Sequence, residues 1–166
     1  MKKFIIWMCN LGLVLAVLAG GTGCSGGPKP VKAFLEFQAG SPLNPNDKGQ
    51  SLTVQVRVFS LKGKERFERA RFDDLWDEPG KTLGGDFVEL KGEYTLSSQS
   101  VIRNPLTLDE SRQERFIGVI GDFKKGNLES WRDVVSVSCM ENPWIGSSFL
   151  RVELERYQLQ IPCASK

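Results

Sequence analysis

From Val31 onward the chain alternates apolar and polar residues with a period of two, the spacing of a strand with one face in a core and one in water. Val31, Ala33, Leu35 and Phe37 fall on one face, while Lys32, Glu36 and Gln38 fall mostly on the other. Leu52, Val54, Val56 and Val58 alternate in the same way with Thr53, Gln55 and Arg57. Tyr94 to Leu96 and Val101 to Leu108 are weaker strands, and Pro105 restricts the second to an edge or a bulge, because proline cannot donate to a ladder. Arg115 to Phe123 is almost continuously apolar, as a strand buried on both faces would be. Gly118 lies inside it, where glycine permits close backbone approach. Trp131–Val137 and Phe149–Ile161 complete the series. In the last run the apolar residues change parity, from Leu150, Val152 and Leu154 to Tyr157, Leu159 and Ile161. A β-bulge near Glu155 would produce that switch, although 150, 154, 157 and 161 also fit a helix. Phe67–Glu78 has helical spacing and is expected to end at Pro79-Gly80. Seven or eight strands with one or two short inserted helices predict a mainly β fold, a two-sheet β-sandwich. Trp76 and Trp131 are expected in its core, and Trp144, beside Asn142-Pro143, at the surface.

The first residues read as an address. Lys2 and Lys3 precede a 16-residue run, Phe4 to Ala19, that is mostly apolar and short for a membrane-spanning helix. Gly20, Gly21, Thr22 and Gly23 follow, then Cys24. A charged start, apolar middle and small-residue end define a secretory signal peptide. A Cys directly after the small residues resembles the bacterial lipobox, with Gly21 where an aliphatic residue is usual. The division is then 1–23 signal peptide, 24–30 acylated Cys and short tether, 31–166 sandwich domain. Lipid on Cys24 is the covalent group expected; no other cofactor and no metal is. Ser25, in place of the Asp that retains enterobacterial lipoproteins in the inner membrane, resembles an outer-membrane signal.

Composition narrows the chemistry. The 166 residues contain no His. That excludes Ser-His-Asp and Cys-His catalysis as usually built, and with them His-ligated zinc. No catalytic residue is assigned, and the chain is not expected to be an enzyme. The 22 basic residues include Lys2 and Lys3, so the mature chain has 20 against 20 acidic residues. A formally neutral chain has no basic footprint for nucleic acid. The acidic cluster Asp73, Asp74, Asp77 and Glu78 lacks the spacing of a calcium loop and reads as a helix flank. The basic run Lys62, Lys64, Arg66, Arg69 and Arg71 reads as a solvated face. Cys139 and Cys163, in an oxidising envelope, suggest a disulfide; two unpaired thiols are the alternative.

Gly40 to Ser51 (GSPLNPNDKGQS) joins two well-patterned strands with twelve residues, where hairpins usually take ~2–5. Gly40, Ser41, Pro42, Leu43, Asn44, Pro45, Asn46, Asp47, Lys48, Gly49 and Gln50 form the candidate partner-binding loop. Leu43 is its one large apolar residue. Long loops on rigid sheets often carry binding, but a plain crossover between sheets fits equally.

Three blocks resemble the type VI secretion outer-membrane lipoproteins, the TssJ family. LNPNDKGQS leading into LTVQVRVFSLK is similar to that family's Asn-rich loop and VVRVYQL strand. FERARFDDLWDEPGKTLGGDF matches its F-x-x-A-D-F-x-x-L-[YW]-D-D-P-x-x-T-L-G-x-D pattern at Phe67, Ala70, Phe72, Leu75, Trp76, Asp77, Pro79, Thr82, Leu83, Gly84 and Asp86, with Arg71 in place of Asp. RFIGVIGDF followed by SWRDVVSV resembles its R-[YF]-[LI]-G-V block. Ser97–Gln99 stand where the family commonly has Pro-Gly-Glu. The resemblance implies a transthyretin-like sandwich held in the inner leaflet of the outer membrane, with the domain in the periplasm. It implies docking to the periplasmic C-terminal domain of TssM, and through it to the TssM-TssL membrane complex, by the 40–50 loop. The alternative is an envelope lipoprotein that binds a small ligand or inhibits an enzyme; it predicts an apolar cleft, whereas docking predicts an exposed loop and a filled core.

Overall fold

The computed structural model describes residues 30–125, 130–140 and 148–163. Cys24, the signal peptide, the tether up to Lys29 and Trp144 lie outside them. Among the described residues, eight strands form two four-stranded sheets. One has the order β4-β1-β7-β8, from β1 (Val31–Leu43), β4 (Val101–Leu108), β7 (Ser148–Arg156) and β8 (Gln158–Gln160). The other has the order β3-β2-β5-β6, from β2 (Val54–Leu61), β3 (Phe87–Leu96), β5 (Phe116–Asp122) and β6 (Arg132–Ser136). This is the sandwich the alternation predicts. Ala33, Leu35 and Phe37 of β1 are buried with Val54, Val56 and Val58 of β2 in one shared core. β1 is an interior strand, antiparallel to β4 and parallel to β7. β4, which carries Pro105, lies at the edge, where a missing donor costs no ladder bond.

The outer face of the β3-β2-β5-β6 sheet is apolar at Phe59, Leu61 and Ile120, and three short helices cover it. These are α1 (Glu65–Arg69), α2 (Phe72–Asp77) and α3 (Pro79–Leu83), and each contributes one fully buried residue: Phe67, Leu75 and Leu83. Helices of five or six residues are not stable alone, so burial of these anchors holds them. Their C-terminal carbonyls, which lack helical partners, are met by arginines, from the sheet for α1 and α2 and from Arg66 of α1 for Leu83 of α3. Arg132 Nη1 donates to the carbonyls of Phe67 and Ala70, and Arg57 Nη1 to that of Trp76. Arg57 also lies 4.1 Å above the Trp76 ring. Trp76 and Trp131 are half-buried at the margin of the core rather than inside it.

Several boundaries differ from expectation. Pro79 does not end the helical segment; it opens α3 from its first turn, where proline lacks no needed bond. β3 begins at Phe87, seven residues before the expected Tyr94. It is an edge strand, and its ladder skips Lys91 between Gly92 and Leu90, so no clean alternation survives. The parity switch near Glu155 comes not from a bulge but from a hairpin. Leu154 pairs with Leu159 and Glu155 with Gln158 around the turn Arg156-Tyr157, and a two-residue turn pairs residues of opposite parity. Arg156 takes φ 51° there.

Both open sides of the sandwich are clasped. On one, the buried Glu114 accepts from Lys91 Nζ at 3.0 Å and from the Asp109 amide at 2.9 Å, while Lys91 also reaches the Thr107 carbonyl on β4. On the other, the Leu159 amide donates to Ser130, the Ile161 amide to Asp133 Oδ2, and Cys139 is bonded to Cys163. The bridge closes a sequence separation of 24. The chain-entropy relation gives about 3 kcal/mol for such a loop, so reduction should lower the stability of the sandwich by that order in a denaturant titration.

Gly118 meets its expectation in detail. A Cβ there would lie 2.7 Å from the Phe67 ring, which packs directly on the strand backbone. Gly118→Ala should cost about 1–3 kcal/mol through overpacking, measured by chemical denaturation. An unchanged midpoint would mean that α1 does not hold Phe67 against β5.

Candidate functional site

β1 runs for thirteen residues, from Val31 to Leu43. At ~3.3 Å per residue, the connection to β2 sits roughly 40 Å from the start of β1. That connection is shorter than the Gly40–Gln50 loop expected. Gly40, Ser41, Pro42 and Leu43 belong to β1, and Leu43 is fully buried in the core. The strand persists because β7 still pairs at this end, Leu43 opposite Arg156. Residues 44–53 then cross from one sheet to the other, so the crossover reading is correct for the connection's path. Leu52, assigned above to a core-facing position, lies before β2 and is 38% exposed. The two leucines exchange roles: Leu43 is the core residue, and Leu52 is the apolar side chain shown to solvent.

Three layers of bonds hold the crossover. Asn44 is 4% exposed and takes φ 44°, a left-handed value that Asn tolerates. Its Nδ2 donates to the Thr53 carbonyl at 3.0 Å, its Oδ1 accepts from the Lys124 amide at 2.8 Å, and its own amide donates to the Arg156 carbonyl at 2.6 Å. One buried amide thus fixes the start of the crossover to its end, to the segment after β5 and to the β7–β8 turn. Pro45 is buried beside it, and its carbonyl accepts from the Tyr157 hydroxyl at 2.6 Å. Asn46 then builds the tip. Its Oδ1 accepts from the amides of Lys48 and Gln50, its Nδ2 donates to Gln50 Oε1, and Gly49 supplies φ 76°. Asp47, Lys48, Gly49, Gln50 and Ser51 are exposed.

Asp47 pairs with Lys125 and, at 3.5 Å, with Lys124. The Lys125 ammonium, followed by Lys124, holds its carboxyl below the ordinary carboxylate range. Among these supports the sequence pointed to Asn44 and Asn46. It did not point to Tyr157, Lys124 or Lys125; Lys125 is 78 positions from Asp47 and the dipeptide Lys124-Lys125 names no partner. Surface depressions of the described residues lie between charged and polar chains, such as Ser130, Glu155, Arg156, Tyr157 and Gln158 beside the crossover. The crossover thus presents an exposed tip, 47–51, on a base held by buried Asn44 and Pro45.

Residues 32–160 match the family described as type VI secretion lipoprotein, VasD, EvfM, TssJ. The chain belongs to the type VI secretion lipoprotein family of TssJ. The crystal structure of the type VI lipoprotein TssJ1 from Pseudomonas aeruginosa is 30% identical, with 83% of this chain and 99% of that one covered at a TM-score of 0.69. Serratia marcescens Lip, described as a membrane-bound component of the type VI secretion system, shares the fold at 17% identity, covering 79% and 96% of the two chains with a TM-score of 0.68. A structure described as the TssM C-terminal domain from EAEC shares it at 22% identity, covering 79% and 97% with a TM-score of 0.65. Comparison with curated proteins finds no match.

The pH response of the tip follows from Asp47. A depressed carboxyl keeps its ion pairs from neutral pH down through the ordinary carboxylate range and loses them as pH falls through its lowered value. Hydrogen exchange of the 46–50 amides should therefore be protected equally, after correction for intrinsic rate, from neutral pH down to that range. Asp47→Asn should show faster exchange already at neutral pH. Equal protection in wild type and variant would remove the ion pairs from the bracing of the loop.

Proposed function

We propose that this chain is a docking lipoprotein of the type VI secretion membrane complex. Acylated Cys24 holds it in the inner leaflet of the outer membrane. The exposed tip of the 44–53 crossover, with Asp47, Lys48 and Leu52, engages the periplasmic C-terminal domain of TssM and so links the outer membrane to the TssM-TssL complex. One observation carries the reading: β1 is an interior strand from Val31 to the braced crossover, so a lipid on Cys24, seven residues before Val31, would enter at the end opposite the candidate docking surface. Family membership supports it, as do fold matches to structures described as a TssM C-terminal domain and a type VI membrane complex. The mechanism is mechanical. Tight bonding of Asn44, Pro45 and Asn46 limits the ordering entropy lost on association, and the lipid supplies the foothold, ~0.8 kcal/mol per buried CH₂.

Two experiments test the two halves. Because Asp47 and Leu52 are exposed, Asp47→Lys with Leu52→Asp should leave the fold intact and weaken binding to the cognate TssM domain about tenfold or more in calorimetry, as loss of a central anchor does. Unchanged affinity would refute the loop. Cys24→Ser should release the protein from the outer-membrane fraction; retention there would refute the anchor.

A further inference from the structure

The two sheets differ on their outer faces. Helices α1 to α3 cover one, whereas among the described residues no helix covers the face of β4-β1-β7-β8. That bare face is divided along its length. At the end where β1 leaves the tether, Phe34 and Phe149 lie opposite each other on parallel strands, with exposed Pro105 across from Phe34 and exposed Lys32 before it. Arg103 lies 5.9 Å over the Phe34 ring and Arg151 5.4 Å over that of Phe149. Both guanidiniums bond the buried carboxylate of Glu36, and with Lys32 they put three cations on this half of the described face, while Asp109 and Glu110 follow β4 at its margin. At the far end the face carries Gln38, Glu153, Glu155, Gln158 and Gln160, with exposed Val101 opposite Gln38.

We propose that the tether end of this face is a contact surface for anionic phospholipid headgroups. The proposal rests on the acyl anchor at Cys24. Chain length alone limits the occupant: from Cys24 to Val31 a tether reaches at most about 20–25 Å, so the first surface brought to the bilayer is the one at the start of β1. Its chemistry suits that place. Half-buried rings suit the interfacial region, Lys and Arg are drawn to a negative lipid surface, and the acidic far end is repelled from it. Seating on this half leaves the loop at the other end of β1 pointing into the periplasm.

The test uses the acylated protein in phosphatidylethanolamine–phosphatidylglycerol vesicles whose chains are brominated near the headgroup. Tryptophan is added at Phe149→Trp or, in a second variant, at exposed Pro105→Trp, with Gln158→Trp as the far-end probe and the unsubstituted protein as background. Added emission at 149 and 105 should be lost to the bromolipid, less so when phosphatidylcholine replaces phosphatidylglycerol, while that at 158 persists. Flotation with the vesicles but no loss at 149 and 105, or an equal loss on both vesicle types, overturns the contact surface and leaves the anchor standing. A protein that does not float at all overturns the anchor, and the contact with it.

Discussion

The packing of alternate β1 side chains against those of β2 is the constraint on which the rest depends. Leu35 and Phe37 are fully buried together with Val56 and Val58. A one-residue slip of β1 would turn this set outward. Hydrogen-bonded to β4 on one side and β7 on the other, β1 cannot slide without breaking two ladders. It is therefore a rigid rod between Val31 and the crossover that Asn44 begins. In the proposed function, that rigidity lets a lipid at one end and a protein at the other act on the same body.

Charged side chains are used mainly as fasteners. Lys91 and Glu114 close one open side between β3 and β4, Asp133 helps close the other, and Arg57 and Arg132 bond the ends of the short helices. Glu36 is held below the usual carboxylate range, first by its hydrogen bond from Arg103. Asp47 is the counterpart at the crossover tip, tied down by two lysines from a neighbouring segment. Basic and acidic residues are nearly balanced across the chain, so the proposed docking would depend on local shape and pre-ordering more than on long-range steering.

How much of this was legible in the sequence depends on how local its cause is. The alternation of β1 and β2, the doubly buried β5 and the edge placement of Pro105 each follow from a few neighbouring residues, and the structure agrees with them. β3 was mostly hidden because an edge strand with an extra residue at Lys91 keeps no clean period. The β7–β8 hairpin was hidden because a parity change has two structural causes, bulge and turn, and one strand's pattern does not separate them. In the candidate site, the Asn-rich tip was visible, but its limits were not. Leu43 and Leu52 are equivalent by composition, and the continued pairing of Leu43 with β7 decides which one is buried. The support from Tyr157, Lys124 and Lys125 arises from the tertiary fold alone.

The central claim is that β1 holds membrane and partner apart, with the partner at the crossover. A crystal structure of the mature chain bound to its cognate TssM C-terminal domain tests it most directly. The claim requires Asp47 to Leu52 to be buried by that domain, with the strand end at Val31 left uncovered. A domain seated on the Val31 end, with the crossover still in solvent, would contradict it.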